Sequence, residues 1–173
     1  MITTDRLTIR PIVAADWPSV RDIWAALAPL PMARYDTPHD LTPETVQARI
    51  ARWAEFTAKG TEHMFFAVCL ADEVIGYIAF NQRVEGHEVG YSFHPAHHGN
   101  GYAKEAFVAL LSHLRDRGFI RFSAGSALNN TPSVKLLTGL GFRLVGTEKV
   151  SFYKDAEGND IVFEGGIFEL EME

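Results

Sequence analysis

A strand that runs directly into a glycine turn and then a helix is the feature that most restricts how this chain can fold. The segment HEVGYSF alternates apolar and polar residues, which is typical of a half-buried strand. The next residues, HPAHHGNG, contain Gly99 and Gly101. An apolar stripe at helical spacing follows, made of Ala103, Ala106, Phe107, Leu110, Leu111 and Leu114. We therefore predict a strand, a tight turn and an amphipathic helix that ends near Gly118.

The rest of the chain shows the same mixture of strand and helix patterns. RLTIRP predicts a first strand, and a helix is expected after it with Asp16 as its N-cap. A second helix is predicted between Thr42 and Gly60, with residues 29–41 as a loop before it. HMFFAVCL and VIGYIAF fit a hairpin, FIRFSAG a further strand, and the segment from Thr131 a short helix. FRLVGTEKVSFY and DIVFEGGIFELE fit a last pair of strands.

This order of elements predicts an α/β (α+β) fold in which helices cover both faces of a mixed, mostly antiparallel sheet. The chain has no internal repeat, low-complexity tract or linker. Residues 1–173 are therefore expected to form one domain.

Charge and cysteine content exclude several function classes. The formal net charge of -6 opposes nucleic-acid binding through a general basic surface. The single cysteine, Cys69, lies in an apolar run, which predicts a buried, inert thiol and no disulfide framework. No apolar stretch reaches the ~20 residues of a membrane span, and the first residues do not resemble a signal peptide, so we expect a cytoplasmic protein that does not contact membranes.

The glycine turn predicts an anion site. The first N–H groups of a helix have no partner within it, and the helix dipole adds positive charge there. Gly99 and Gly101 let the backbone approach a ligand closely, so the N–H groups of residues 99–103 can converge on phosphate oxygens. Neither the phosphate-binding loop of nucleotide hydrolases nor the dinucleotide fingerprint fits, since Lys104 stands where the latter needs glycine. A tight connection without a ligand is the alternative.

The wider pattern resembles the Gcn5-related N-acetyltransferases (GNAT), particularly the branch that acetylates ribosomal-protein N-termini. The six places of the family's phosphate loop, Q/R-x-x-G-x-G/A, are filled here by His98, Gly99, Asn100, Gly101, Tyr102 and Ala103. The family's later N-x-x-S and G-F pairs are matched by Asn130, Ser133, Gly141 and Phe142. The resemblance implies a six- to seven-stranded sheet with about four helices, and acetyl-CoA as co-substrate held by the loop, Phe93 and Asn130. His98 departs from the usual Gln or Arg.

The resemblance also implies a mechanism in which the amine attacks the thioester directly. The backbone N–H of Phe93 would face the acetyl carbonyl. In the branch that this chain resembles, a serine three residues after the asparagine protonates the leaving thiolate, and Ser133 holds that place. The tyrosine that many other relatives use for this step is replaced here by Leu137. Glu88 is the predicted base, acting through a water, and a salt-bridge role is its alternative. Glu148 and Asp160 are further candidates that the sequence does not rank.

The acceptor stays open at this point. An N-terminal α-amine of a protein or peptide is the first prediction for the acceptor, and a polyamine or an aminoglycoside is the alternative acceptor. The alternative to an enzyme is a non-catalytic domain that binds or senses acyl-CoA. The segment LPMARYDTPHD, with Trp24 and Trp53 nearby, is expected at the acceptor end. The loop histidines lack the carboxylate or cysteine neighbours of a metal site, so none is predicted, although His94 is a minor candidate for a proton acceptor. The protein is expected to be a monomer or a homodimer.

Overall fold

One continuous sheet of eight strands runs through the computed structural model, which describes residues 1–173. Its spatial order is β1-β2-β3-β4-β5-β6-β8-β7, and every neighbouring pair is antiparallel except β5 and β6. The strands are β1 (Ile2–Thr3), β2 (Leu7–Pro11), β3 (His63–Leu70), β4 (Glu73–Gln82), β5 (His87–Phe93), β6 (Arg121–Ala127), β7 (Arg143–Val150) and β8 (Phe163–Glu171).

Four helices flank this sheet, and their ends follow the sequence signals. They are α1 (Trp17–Leu27), α2 (Pro43–Lys59), α3 (Tyr102–Arg115) and α4 (Thr131–Gly139). The helix α2 begins after Thr42 with proline in its first turn and ends at Gly60, as predicted. The mixed α/β fold with four helices is thus confirmed.

Two local predictions need correction. The sheet has eight strands, not six or seven, because the two-residue strand β1 pairs with β2 but is too short to show alternation in the sequence. Asp16 occupies the N-cap position of α1 without capping it. Its carboxylate instead accepts hydrogen bonds from both terminal nitrogens of Arg10, each at 2.8 Å, and from the Val13 N–H. A charged partner outcompetes the helix N–H groups for a buried carboxylate.

Each face of the sheet buries its own hydrophobic cluster. On one face α3 and α4 pack through Phe107, Leu110 and Leu137. On the other face α1 and α2 pack through Val20 and Ile50. Burying one such side chain contributes about 1.5–3 kcal/mol, so both clusters hold the strands in register. The helices cover both faces, as predicted.

The sheet splits between β5 and β6. These two strands pair only at His87 with Phe122 and at Glu88 with Ser123. Beyond those pairs β6 stays bound to β8 along its whole length, while β5 stays bound to β4. The diverging ends of β5 and β6 therefore open a gap in the middle of the sheet, next to the start of α3.

Candidate active site

A cleft of about 1070 Å³ occupies the gap between β5 and β6. Its walls come from the diverging strand ends, the glycine turn, the first turn of α4, the segment after α1 and parts of β7 and β8. Asn100 and the further candidates Asp160 and His94 do not line this cleft. Nine of the predicted site residues do line it: Glu88, Phe93, His98, Gly99, Gly101, Tyr102, Ala103, Asn130 and Ser133. The topology thus brings together residues that are far apart in sequence.

The glycine turn has the backbone geometry of an anion cradle. Gly99 and Gly101 adopt φ of 78° and 77°, a left-handed conformation that side chains disfavour. A Cβ at Gly99 would meet no atom within 4 Å, so the loop faces open space. The first hydrogen bond into α3 comes from the Glu105 N–H to the Gly101 carbonyl at 3.0 Å. The N–H groups of residues 99–104 precede it and have no partner in the protein, so they are available to an anion.

Two residues of the connection between β1 and β2, Thr4 and Arg6, clamp the glycine turn in place. The Glu105 carboxylate accepts hydrogen bonds from the hydroxyl of Thr4 at 2.6 Å and from the Nε of Arg6 at 2.7 Å. Arg6 also donates through Nη1 to the Asn100 carbonyl at 2.9 Å and covers the ring of Tyr102. The hydrogen bond from Thr4, reinforced by Arg6, lowers the pKa of Glu105. The carboxylate of the first turn is therefore neutralised by Arg6 instead of repelling an anion at the cradle.

Two polar residues of the loop turn inward. The ring of His98 donates from Nε2 to the Phe93 carbonyl at 2.8 Å, which ties the turn to the end of β5. The side-chain amide of Asn100 donates to the carbonyls of His97 and His98, both at 3.2 Å. Because this amide is already bonded within the loop, Asn100 would contact a ligand through its backbone N–H. Lys104 lines the cleft and forms no ion pair, so it adds positive charge beside the cradle.

The backbone of β5 presents free donors to the gap. The His94 N–H donates to the Ile75 carbonyl of β4 at 2.8 Å. Along an antiparallel ladder, alternate residues turn their N–H groups to opposite sides. The N–H groups of Tyr91 and Phe93 therefore point away from β4 and toward the diverging strand β6. That direction agrees with the position predicted for the Phe93 N–H.

Three hydroxyl groups meet on the α4 side of the cleft. The Tyr91 phenol oxygen lies 2.5 Å from the Ser133 Oγ, within hydrogen-bonding distance. The Ser126 hydroxyl donates to the same Ser133 oxygen at 2.9 Å. Ser133 makes no hydrogen bond to the backbone of its own helix, so both of its contacts within the protein are to other hydroxyl groups. Burial raises the pKa of Tyr91 above its ordinary value, so its phenol stays protonated at neutral pH.

The three candidate carboxylates have different surroundings. Glu88 lines the cleft and accepts a hydrogen bond from the Nε of Arg83 at 2.8 Å. Glu148 lines the cleft without an ion-pair partner. Asp160 pairs with Lys154 at 2.7 Å on the β7–β8 connection, outside the cleft. The structure thus favours Glu88 and Glu148 over Asp160 as bases.

The opposite end of the cleft has an aromatic floor. Trp24 and Trp53 are buried yet line the cleft, and the indole N–H of Trp24 donates to the Tyr77 hydroxyl at 2.9 Å. Burial raises the pKa of Tyr77. His39 stacks on Trp24 at 4.1 Å, and the Arg49 guanidinium lies 4.8 Å from the Trp24 ring centroid and 5.2 Å from that of Trp53. The predicted segment from Leu30 to Asp40 forms part of this end.

Cys69 and His94 take no part in the cleft. Cys69 is buried against the α1 and α2 face, does not line the cleft, and burial raises its pKa. His94 accepts the Ala96 N–H on its Nδ1 and lies outside the cleft, so its minor role as a proton acceptor has no geometric support. No group of three or more His, Cys, Asp or Glu side chains is arranged to hold a metal ion. None of the helices combines the length and the hydropathy that a membrane span requires.

Comparison with known proteins decides the family. Residues 6–143 match the family model described as an acetyltransferase (GNAT) domain. The chain belongs to the GNAT acetyltransferase family. An uncharacterised N-acetyltransferase of Bacillus subtilis, YnaD, is 30% identical over 161 residues, which cover 90% of each chain. The ribosomal-protein-serine acetyltransferase of Escherichia coli is 32% identical over 121 residues, which cover 66% of this chain and 64% of that protein.

A solved GNAT structure supports the same fold. The acetyltransferase of Salmonella typhimurium that modifies the N-terminal serine of ribosomal protein L7/L12 superposes with a TM-score of 0.82 at 17% identity, covering 98% of this chain and 97% of that one. The chain described here is a GNAT acetyltransferase. A putative acetyltransferase of Salmonella typhimurium, yncA, is solved with its cofactor acetyl-CoA; it has a TM-score of 0.73 at 21% identity, covering 98% of this chain and 95% of that one. The open glycine cradle and its free N–H groups fit the phosphates of acetyl-CoA.

Sequence reasoning missed several residues that build this GNAT site. Arg6 and Glu105 are 99 positions apart, and Tyr91 and Ser133 are 42 apart. No short sequence motif around these residues indicates that the members of either pair contact each other. Tyr91 follows the apolar alternation of β5 and therefore resembled an ordinary core residue.

Proposed function

We propose that this protein transfers the acetyl group of acetyl-CoA to a primary amine, and that its acceptor is the N-terminal α-amine of a protein or peptide. One observation carries the proposal: a single cleft joins the glycine cradle to free backbone donors, a serine hydroxyl and carboxylates. The similarity to the Escherichia coli ribosomal-protein-serine acetyltransferase supports the choice of acceptor.

The cofactor contacts follow from the cradle. The N–H groups of residues 99–103 would bind the pyrophosphate, with Asn130 at the start of α4 and the Phe93 N–H nearer the acetyl end. His98 would hold the loop in position for the cofactor and would not donate to it from Nε2, because its Nε2–H already donates to the Phe93 carbonyl. Charge supports these assignments, since Arg6 neutralises the one carboxylate in the first turn of α3 and Lys104 adds a cation.

The two proton transfers would occur on opposite faces of the sheet. Residues of one strand alternate between faces, so Glu88 lies on the face opposite to Tyr91. The acid Ser133, which contacts Tyr91, therefore lies across the gap from the base. Glu88 would take the amine proton through a water, while Ser133 gives a proton to the departing sulfur. The buried thiol of Cys69 supports direct attack without an acyl-enzyme.

A small cationic amine is the second candidate acceptor. Asp36, Glu88 and Glu148 all line the cleft, and three carboxylates there would attract a polyamine or an aminoglycoside. A non-catalytic acyl-CoA-binding protein is the remaining alternative from the sequence.

One experiment separates these functions. The protein is incubated with acetyl-CoA and, in parallel, with serine- and alanine-initiated peptides, spermidine or an aminoglycoside, while thiol release and the mass of each acceptor are followed. We expect thiol release with the peptides and an added acetyl group on their α-amine. Binding of coenzyme A without thiol release on any acceptor would overturn the proposal.

The base is tested by comparing matched amide variants. We expect Glu88→Gln to lower kcat by about 10²-fold, the lower end of general-base contributions, and to flatten the rise of kcat with pH. Glu148→Gln tests the second cleft carboxylate, and Asp160→Asn is the control outside the cleft. Full activity of Glu88→Gln together with a loss in Glu148→Gln would move the base to Glu148.

A further inference from the structure

The hydroxyl of Ser133 forms hydrogen bonds with two other hydroxyl groups and with no backbone carbonyl. Its Oγ lies 2.5 Å from the Tyr91 phenol oxygen and accepts from the Ser126 hydroxyl at 2.9 Å. Ser126 has a second contact, to the Ala127 carbonyl, but at 3.4 Å this is the weaker acceptor. All three residues line the cleft.

The number of hydrogen bonds that a serine can form limits this arrangement. A serine hydroxyl has two acceptor lone pairs and one proton to donate. If Tyr91 and Ser126 both donate to Ser133, both lone pairs are occupied, and the only remaining hydrogen bond that Ser133 can make is a donation. Two donated hydrogen bonds also stabilise negative charge on the serine oxygen, which makes its own proton easier to give away.

We propose that Tyr91 and Ser126 are positioning residues that force Ser133 to present its single proton to the cleft. This inference rests on the proposed function, in which Ser133 protonates the sulfur. The phenol suits this task because burial keeps it protonated and therefore able to donate. Its ring is fixed edge-on against Phe107, at 5.2 Å between centroids. The hydroxyl is thus held by a rigid side chain, whereas an exposed serine would rotate freely.

The proton balance of the reaction is complete without Tyr91 ionising. A bond forms between the amine nitrogen and the carbonyl carbon, and the bond from that carbon to sulfur breaks. Ser133 transfers its proton to the sulfur, and the amine releases one proton to the base and then to water. The serine oxygen holds the Tyr91 and Ser126 hydrogen bonds during this transfer and regains a proton from solvent.

The test uses Tyr91→Phe, which keeps the ring and removes one oxygen. With acetyl-CoA and a peptide acceptor, we expect kcat to fall about tenfold, the equivalent of one hydrogen bond of roughly 1.4 kcal/mol, with KM for acetyl-CoA changed less than twofold. Ser126→Ala should behave similarly. Ser123→Ala, on the same strand but outside the cleft, is the matched control and should keep full kcat.

Two further measurements separate positioning from a general structural effect. The double variant Tyr91→Phe/Ser133→Ala should be no slower than Ser133→Ala alone, because Tyr91 acts only through Ser133. With an aryl thioester as acyl donor, whose leaving thiol has a lower pKa, the defect of Tyr91→Phe should shrink toward wild type. Additive effects in the double variant, or an equal defect with both donors, would overturn the inference.

Failure of this inference is distinguishable from failure of the proposed function. A wild-type protein that turns over while Tyr91→Phe retains full kcat would overturn only the role of the hydroxyl network. A wild-type protein that binds coenzyme A without turnover on any amine would overturn the proposed function and this inference with it.

Discussion

Replacing Gly99 by alanine tests the glycine cradle directly. Gly99 has φ of 78°, and an L-residue in the left-handed region costs about 1–2 kcal/mol. The added Cβ meets no atom within 4 Å, so neither a clash nor new packing changes that figure. For a chain of 173 residues, 1 kcal/mol shifts Tm by roughly 2–4 °C, so we expect a Tm about 2–8 °C lower.

The same substitution should weaken coenzyme A binding by more than the strain alone explains. A hydrogen bond from an N–H group to a charged phosphate is worth about 1.5–3 kcal/mol. Relaxation of residue 99 toward negative φ would turn at least one such N–H away, and the loss of one bond corresponds to an increase in Kd of roughly 10- to 100-fold. Calorimetric titration of the Gly99→Ala variant with coenzyme A measures this change.

Gly118→Ala provides the matched control. Gly118 has φ of 89°, also has open space around an added Cβ, and lies beyond the end of α3, outside the cleft. We expect the same drop in Tm as for Gly99→Ala, with Kd for coenzyme A unchanged. If Gly99→Ala binds coenzyme A within twofold of wild type, the cradle does not hold the phosphates and the reasoning is refuted.

Other parts of the structure make their own predictions. Arg6→Ala should raise KM for acetyl-CoA about fivefold, roughly 1 kcal/mol, and leave kcat within twofold in steady-state assays. The pKa of Glu105 is lowered in the folded state, so its ionised carboxylate stabilises the fold. This contribution is fully present above the ordinary carboxyl pKa of about 4.3 and is lost as the pH falls from there through the lowered folded-state pKa. The urea midpoints of wild type and Glu105→Gln should therefore converge as the pH falls. Asp16→Asn should cost about 2 kcal/mol in urea unfolding, since it weakens a partly buried pair with Arg10. Cys69→Ala should retain wild-type kcat.

Controls for these variants lie at the far end of α3. Arg115 and Asp116 form an ion pair that is exposed and outside the cleft. Arg115→Ala should leave KM unchanged, and Asp116→Asn should cost less than about 1 kcal/mol. A normal KM in Arg6→Ala would contradict the clamp on the glycine turn, and urea midpoints that stay equally far apart at all pH values would contradict the lowered pKa of Glu105. Unchanged stability of Asp16→Asn would contradict the role of its pair with Arg10. Loss of activity in Cys69→Ala would contradict direct attack without an acyl-enzyme.

The features that were predicted correctly from the sequence are those that depend on residues close together in the chain. The stripe of α3, the proline and glycine that bound α2, and the glycine turn itself are all set within a few residues, and the structure has them where expected. The left-handed φ of Gly99 and Gly101 follows from the same local constraint.

The rest depends on strand register, which no local pattern encodes. Asp16 looked like a helix cap because the carboxylate stands before α1, but Arg10 reaches it from β2 and binds it more strongly. Tyr91 alternates like a core residue, and only the fold places Ser133 against its hydroxyl. The role of Glu88 also stays a prediction, because its ion pair with Arg83 depends on how the connection before β5 folds.

The split between β5 and β6 also supplies a spectroscopic reporter. Backbone amides bound within a sheet exchange their protons with solvent slowly, whereas amides that face an open gap are protected only by what fills it. The amides of Tyr91 and Phe93 point into the gap, while that of His94, one residue later, is bonded to β4. A ligand seated in the gap should slow proton exchange at Tyr91 and Phe93 and leave His94 unchanged, so occupancy can be followed without any turnover.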